Sequence, residues 1–348
     1  MNLSMPVKQM IDVLFVIVPH SLLLDVAGPS EAFRLANLHL EIAGMLPRFR
    51  LRFAGPPLSA PKMPTSVGLL LTGLESFPAQ LTAPTWVVVV GQPNAYVREA
   101  SPEIMATARW LHQSLREPLS AAISPHRLVT ICSGALLAAR AGLLAKRQCT
   151  THHEMLELLR ALAPEARVVD NRVFLVDGPL ASSAGVTAGI DLALHLIAEE
   201  CGEALASSVA QDMVVYLRRS SRDSELSPFL AHRNHVNPAI HRVQNAINAA
   251  LDRNWDMPAL AEAAHVSERH LLRLFIEHVG VSPMQYVETI QLERARQSLE
   301  RGASVAHAAE FAGFGSSQQL RRAWKRNWGG SPRDGFRAAI AQGNKAVR

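Results

Sequence analysis

Residues 128–135 place a cysteine, Cys132, between a row of apolar residues and a row of small ones. This order predicts a strand that turns sharply into a helix, with the cysteine side chain held in the turn above a sheet. The N-terminus of that helix would lower the pKa of the thiol and offer backbone N–H groups to an anion or a carbonyl oxygen. Cys132 is therefore a candidate nucleophile, although a cysteine at a strand end is often only a small core residue.

Other short motifs accompany this cysteine along the first 200 residues. They are LDVAGPSE at 24–31, Gly91 after a valine run, ICSGA at 131–135, AGLL at 141–144, TTH at 150–152 and SAGVTAGID at 183–191. With these motifs, residues 11 to about 200 resemble the ThiJ/PfpI branch of the class I glutamine amidotransferase-like superfamily. The resemblance implies a doubly wound, mainly parallel sheet of the flavodoxin-like type, with a pocket beside the cysteine.

Carried over position by position, the resemblance makes Cys132 the elbow residue and Asp25 its acidic partner. It assigns Gly91 and Ser133 to loops whose N–H groups line the pocket, and His152 falls near the family's histidine. Gln92 departs from the family, where a second glycine is frequent, and His153 departs where the regulator subgroup has Trp. The predicted ligand-binding residues are Asp25, Gly91, Gln92, Cys132, Ser133, His152 and Thr187.

Several of these residues also have purely structural interpretations. Asp25 could cap a helix that starts near Pro29, and His152 could cap or pack its own helix. Thr187 lies one helical turn before Asp191, so the pair could serve a ligand or only the N-terminus of a helix.

Four segments of helical spacing near the end of the chain form two similar pairs. The first pair covers residues 258–264 and 267–278, and the second covers 305–312 and 317–328. Within each pair a tight turn precedes a serine, Ser267 or Ser316, that can cap the second helix. Leu271, Leu272, Leu274 and Phe275 are expected to bury one stripe of the first pair's second helix.

These pairs predict two helix-turn-helix units joined by a helix over Pro283–Glu300. That helix would be about 27 Å long, which with the turns lets two recognition helices reach successive major grooves about 34 Å apart. Amides and cations left on the outer faces are suited to base edges and phosphates. The predicted DNA-binding residues are Ser267, Arg269, His270, Arg273, Ser316, Ser317, Gln318, Gln319, Arg321 and Arg322.

The last 110 residues also carry a family signature. Its parts are GVSPMQY at 280–286, LERAR at 292–296, AGF at 312–314 and SPRDGFR at 331–337. This stretch resembles the AraC/XylS family of bacterial transcription regulators, and departs from it at Trp324 and Gly335. Joined to a ThiJ/PfpI domain, it looks like the GlxA-like subgroup, some members of which sense arginine or quaternary amines.

The charge distribution agrees with DNA binding. The chain has 35 Lys and Arg against 30 Asp and Glu, a net charge of +5. Residues 235–348 hold 15 basic against 10 acidic residues and so carry the whole excess, while residues 1–234 hold 20 of each. Contact with phosphates is expected, with affinity that falls as salt rises; the alternative is a basic surface that is merely solvated.

The elements that position the cysteine alternate between two kinds of segment. Apolar runs at 11–18, 50–54, 86–90, 128–131, 167–169 and 173–176 predict strands, and segments at 30–41, 103–115, 133–144, 151–162, 185–199 and 203–218 predict helices. Such alternation predicts an α/β domain whose parallel sheet is covered on both faces. The expected division is a sensing and dimerisation domain over 1–217, a linker over 218–237 and an all-α DNA-binding domain over 238–348, whose first helix covers 238–251.

Composition excludes other classes. Cys132, Cys149 and Cys201 form no CxxC pair or disulfide pattern, so a reduced cytoplasm is expected, and the apolar run at 13–18 is too short to span a bilayer. His232, His235 and His241 lack a Cys or carboxylate that would complete a zinc set. We expect no metal and no cofactor.

Two functions remain open from the sequence. One is a cysteine-dependent hydrolase or hydratase, with Cys132 as nucleophile, Asp25 tuning its protonation and His152 as acid or base. The other is a sensor in which the same pocket holds a small nitrogenous metabolite and the DNA-binding units respond. The tandem helix-turn-helix units favour the sensor: a non-enzymatic, homodimeric transcription activator that binds promoter DNA, a small effector and RNA polymerase, with no membrane partner.

Overall fold

The protein is described by a computed structural model over residues 9–57, 62–98, 100–121, 123–215, 218–221, 223, 225, 232, 235–250, 253–300 and 302–332. It forms two compact units, Met1–Glu225 and Leu226–Arg348. The RDGFR part of the C-terminal motif, at 333–337, and the predicted helix residue Leu251 lie outside the described residues.

A seven-stranded sheet forms the centre of the first unit. Its strands are β1 Ile11–Val16, β2 Phe49–Gly55, β5 Glu75–Ser76, β6 Thr85–Val89, β7 Arg127–Ile131, β10 Phe174–Asp177 and β11 Leu180–Ser183. Their order in the sheet is β10-β11-β7-β6-β1-β2-β5, and every neighbouring pair is parallel except β10 with β11. Two small sheets pair β3 Met63–Pro64 with β4 Leu70–Leu71, and β8 Gln148–Cys149 with β9 Arg167–Val168.

Alternate residues of the central strands enter two separate hydrophobic clusters. On one face Val13 and Phe15 of β1 pack with helices over Leu23–Ile42 and Ala188–Cys201, and on the other Val87 and Val89 of β6 pack with the helix over Pro102–Ser120. Burial on both faces explains why these strands are continuous apolar runs. The predicted α/β fold with a mainly parallel sheet is confirmed.

The helices of the first unit differ from the prediction mainly at their ends. They are α1 Leu23–Ile42, α2 Asn94–Val97, α3 Pro102–Ser120, α4 Gly134–Arg140, α5 Leu156–Leu162, α6 Ala188–Cys201 and α7 Glu203–Asp212. The first helix begins seven residues before the predicted Ser30 because it accommodates Pro29 in its interior. Gly28 also lies inside it, where a Cβ atom would come within 2.8 Å of Ile190, so this glycine lets α1 pack closely on α6.

The second unit is helical. Its helices are α8 Pro238–Ala249, α9 Met257–Ala264, α10 Glu268–Val279, α11 Pro283–Glu300, α12 Val305–Phe311 and α13 Ser317–Trp328. The side chains of Asp256, Ser267, Ser304 and Ser316 accept backbone N–H groups at the starts of α9, α10, α12 and α13. Each cap satisfies donors that the first helical turn leaves unpaired.

Each helix-turn-helix unit has its own core. Leu271, Phe275 and Tyr286 belong to one hydrophobic cluster, and Leu320 and Trp324 belong to another. Both clusters draw on the connecting helix α11, whose predicted bounds are confirmed. No helix within the described residues is long and apolar enough to cross a membrane.

Candidate functional site

Cys132 lies immediately after β7, with a backbone φ of 54°. This left-handed conformation costs a non-glycine residue about 1 to 2 kcal/mol, and such strain is concentrated at functional sites. The following helix α4 begins only two residues later, at Gly134. The predicted elbow at Cys132 is therefore present.

Two glycines leave room for the Cys132 side chain. A Cβ atom added to Gly185, whose φ is +93°, would lie 2.2 Å from the Cys132 Cβ, and one added to Gly91 would lie 2.8 Å from it. Only 5% of Cys132 is exposed. The thiol is thus enclosed by the loops that contain these glycines.

Asp25 joins those two loops. Its carboxylate accepts the backbone N–H of Gly91 at 3.1 Å and that of Val186 at 2.9 Å. Burial raises the pKa of Asp25 to about 6, although the two N–H donors oppose the rise. The interpretation of Asp25 as a helix cap is wrong, because α1 begins at Leu23 and its N-cap residue is Leu22.

Ser133 fixes the loop that carries Gly91 and Gln92. The Ser133 hydroxyl accepts the N–H of Gln92 at 2.7 Å and donates to the carbonyl of the same residue at 2.8 Å. The side-chain amide of Gln92 donates to the carbonyl of Pro19 at 2.6 Å. Five of the predicted ligand-binding residues, Asp25, Gly91, Gln92, Cys132 and Ser133, are therefore adjacent.

The thiol does not have the expected acidity. Burial raises the pKa of Cys132 to about 12, and the negative charges of Asp25 and Glu225 add to the rise. The hydrogen bonds from Ser133 lower that pKa but do not compensate. The thiol pKa is therefore not lowered as predicted, because the cost of desolvating a thiolate exceeds the effect of the Ser133 hydrogen bonds at the start of the helix.

His152 lies beside the elbow through its neighbour, since the Thr151 hydroxyl donates to the Cys132 carbonyl at 2.8 Å. It precedes a 3₁₀ turn over His153–Met155, and its side chain makes no capping hydrogen bond there, so the capping interpretation is wrong. The imidazole rings of His152 and His153 lie 4.2 Å apart. Burial lowers the pKa of His152, and His153 lowers it further, so the neutral ring predominates at neutral pH.

Thr187 and Asp191 bind a cationic side chain from later in the chain. Both carboxylate oxygens of Asp191 accept hydrogen bonds from Arg219: Oδ1 from the backbone N–H at 2.8 Å and Oδ2 from the guanidinium at 2.9 and 2.6 Å. The Thr187 hydroxyl accepts a further guanidinium bond at 2.8 Å. The Asp191 side chain is only 3% exposed, and burial raises its pKa despite the arginine.

Two more residues attach this segment to the first unit. The carbonyl of Asp223 accepts the N–H of Val173 at 3.0 Å, and the Glu225 carboxylate accepts from the N–H and Nδ1 of His153 at 3.1 and 2.8 Å. Arg219, Asp223 and Glu225 fall within the residues predicted as linker. Sequence reasoning missed these contacts because the segment has no apolar stripe.

The outer face of α10 carries most of the residues predicted to bind DNA from the first helix-turn-helix unit. Ser267, Arg269 and Arg273 are exposed and His270 is half-buried, with an Arg273 guanidinium nitrogen 3.3 Å from His270 Nδ1. The Ser267 hydroxyl accepts the His270 N–H and so serves the cap. Leu272 is 43% exposed, so its predicted burial is wrong.

Helix α13 presents the second set. Gln318, Gln319, Arg321 and Arg322 are exposed, and Ser317 is half-buried. The exposed Ser316 caps Gln319 N–H, while the Gln319 side-chain oxygen accepts the N–H of Gly315 at 2.9 Å.

Two apolar side chains extend the outer face of α10 beyond the prediction. Leu272 and Ile276, 43% and 53% exposed, are one turn apart and line a shallow groove with Arg269 and Arg273. Exposed aliphatic groups among cations are suited to thymine methyl groups in a major groove. Their spacing, offset from the buried stripe, was the signal in the sequence.

Comparisons with known proteins find matches in both parts of the chain. A model described as a helix-turn-helix domain matches residues 260–338, and one of the DJ-1/PfpI family matches residues 105–199. The HTH-type transcriptional regulator GbdR of Pseudomonas aeruginosa is 30% identical over 329 residues, which cover 92% of this chain and 82% of that protein. The HTH-type transcriptional regulator GlxA of Rhizobium meliloti is 28% identical over 320 residues, which cover 91% of this chain and 93% of that protein. Among solved structures, an AraC family transcriptional regulator from Pseudomonas putida aligns with 58% of this chain and 98% of that chain, at 20% identity and a TM-score of 0.47.

A DJ-1/PfpI-type α/β unit followed by paired recognition helices defines a DNA-binding regulator. The chain belongs to the family of HTH-type transcriptional regulators of the AraC type that carry such an N-terminal domain. DNA is therefore its partner, and the predicted family and regulatory function are confirmed.

Proposed function

We propose that this regulator binds its promoter as a homodimer and activates transcription, through RNA polymerase in the cytoplasm, when a small nitrogenous metabolite occupies the first unit. The proposed domains are those predicted, sensing over 1–217 and DNA binding over 238–348. The observation that supports an effector most directly is the guanidinium of Arg219 on the Asp191 carboxylate and the Thr187 hydroxyl.

This contact indicates the chemistry of the effector. A buried carboxylate with a hydroxyl beside it already binds a planar, positively charged nitrogen group within the chain. Val186, one residue before Thr187, donates to Asp25, so the cation site adjoins the Cys132 elbow. A metabolite with a guanidinium or ammonium group would be recognised by the same oxygens.

Competition with Arg219 supplies a means of signalling. An effector that binds Asp191 better when Arg219 has left favours the arrangement in which residues around 219 are released. Those residues lead along the chain towards the DNA-binding unit. The effector's preference for one arrangement over the other sets the size of the response.

The acidity of Cys132 supports a sensor over an enzyme. Burial raises the pKa of Cys132 to about 12, so the thiol form predominates at neutral pH, whereas the thiolate is the nucleophilic form. We therefore propose that the pocket binds its metabolite without converting it.

The test uses the full-length protein and the DNA sequences that this protein selects from a random pool. Candidate guanidinium and ammonium metabolites are added while DNA affinity, melting temperature and product formation are recorded. We expect an effector that shifts both binding and melting, with no product. Asp191→Asn should abolish that shift, while Asp212→Asn, which alters an exposed carboxylate of the same unit, should leave it unchanged.

Other outcomes would refute particular parts. Product formation that disappears in Cys132→Ala would make the protein an enzyme. Sedimentation that shows monomers with and without DNA would refute the homodimer. An effector shift that survives in Asp191→Asn would move the binding site elsewhere.

A further inference from the structure

Three side chains with the chemistry of metal ligands meet near the elbow. His152, His153 and Glu225 each offer a ligand atom, and these atoms all lie within 4.8 Å of one another. Glu225 is separated from His153 by 72 residues in the chain. The sequence therefore predicted no metal here, because only folding brings the carboxylate to the two histidines.

Glu225 is placed as a ligand would be. Its side chain is only 10% exposed, and its Oε1 atom accepts both hydrogen bonds from His153. Its other oxygen, Oε2, is buried and has no hydrogen-bond partner within the described part of the chain. A buried carboxylate oxygen without a partner is costly, and a cation supplies the missing interaction.

The donor set matches a specific class of ion. Two imidazole nitrogens and one carboxylate oxygen suit zinc and similar divalent transition metals, and this combination leaves a fourth position open. Ligand atoms about 2 Å from a tetrahedral zinc ion lie about 3.3 Å from one another. Because the three atoms lie within 4.8 Å of one another, they would have to approach by at most about 1.5 Å to bind such an ion.

We propose that His152, His153 and Glu225 bind one divalent transition-metal ion of the zinc class. The ion fastens residue 225, the last of the first unit, to the segment that follows the Cys132 elbow. The Glu225 carboxylate exchanges its hydrogen bond from His153 Nδ1 for the metal, and Oε2 gains a partner. This proposal is independent of the effector.

The experiment titrates chelator-treated, full-length protein with zinc chloride in competition with a chromogenic indicator, and records melting in parallel. We expect one ion per chain and a rise in melting temperature. Glu225→Gln, which keeps an acceptor for His153, and His153→Ala should each weaken binding by at least about 100-fold. His152→Ala should also weaken it and abolish the rise in melting temperature.

Two control variants test whether the effect is specific to this site. Glu154→Gln removes an exposed carboxylate that lies next to the site and accepts a hydrogen bond from Asn94. His241→Ala removes one of two neighbouring histidines, His235 and His241, in the second unit. Both should bind zinc like the unaltered protein. Affinity unchanged in Glu225→Gln, loss of binding in His241→Ala, or no bound ion at all would overturn the proposal.

Discussion

Replacing Asp25 by Asn changes how the stability of the first unit depends on pH. Asp25 is fully buried, and its pKa is about 6, compared with 3.8 for an ordinary aspartate. Because the folded state holds the proton more tightly than the unfolded state, the carboxylate destabilises the fold above pH 6. Stability is regained as the pH falls from 6 towards 4, since the buried group is then neutral.

The size of this effect follows from the two pKa values. A pKa difference of about two, at about 1.4 kcal/mol for each unit, corresponds to about 3 kcal/mol at neutral pH. Asparagine carries no charge, so the stability of the Asp25→Asn variant does not show this dependence on pH. However, its amide NH2 faces one of the N–H donors of Gly91 and Val186, which costs about 1 to 3 kcal/mol at every pH.

We therefore expect the unaltered protein to gain about 2 kcal/mol relative to Asp25→Asn between pH 7.5 and pH 4, and the rest of the difference below pH 4. The assay is urea denaturation of the full chain at several pH values. Hydrogen-exchange mass spectrometry of the peptide over Ile11–Val16 reports the first unit separately. Glu41→Gln, an exposed carboxylate at the end of the same helix, is the control and should show no comparable change.

A difference between the two proteins that stays constant with pH would refute this reasoning. It would mean that the two N–H donors fully offset the effect of burial on the pKa of Asp25, and that Asp25 is ionised over the whole pH range of the assay. A difference with the opposite slope would mean that an unrecognised cation stabilises the carboxylate.

Three further predictions concern the elbow and the DNA-binding helices. Gly185→Ala should cost the first unit at least about 3 kcal/mol in urea denaturation, because its Cβ would overlap Cys132, whereas Gly44→Ala, with φ of +72° and open space, should cost only about 1 to 2 kcal/mol. Iodoacetamide at pH 7.5 should modify the half-buried Cys201 before Cys132, as followed by mass spectrometry; faster labelling of Cys132 would contradict its raised pKa. Arg322→Ala should weaken binding to selected DNA by about 1 to 3 kcal/mol and relax preference at one base pair; equal loss on all sequences would assign Arg322 to phosphate.

The DNA-binding helices were predicted almost residue by residue. The bounds of α11 and α13 agree with the prediction, and Ser267 caps α10 as expected. Caps, turns and apolar spacing are local signals, so each can be recognised within a stretch of about ten residues. The predicted burial of Leu272 was wrong, because this residue was counted with the buried stripe of α10 although its spacing is offset from that stripe.

The α/β unit was predictable in class but not in detail. The start of α1 at Leu23 was missed, since Gly28 and Pro29 normally break a helix and are accommodated here by close packing against α6. Strand β11 was missed as well, because Leu180–Ser183 is short and half polar. Its pairing with β7 is what brings Gly185 against Cys132.

Local sequence patterns identify this chain as a regulator with two DNA-binding helices and a cysteine elbow, because those features are encoded by neighbouring residues. The surroundings of the elbow, in contrast, depend on how the chain folds. Asp25 meets Val186 across 161 residues, Asp191 meets Arg219 across 28, and Glu225 meets His153 across 72. Burial and charge at such sites depend on partners distant in the chain, so the high pKa of Cys132 and the proposed metal site have no signature in the linear pattern.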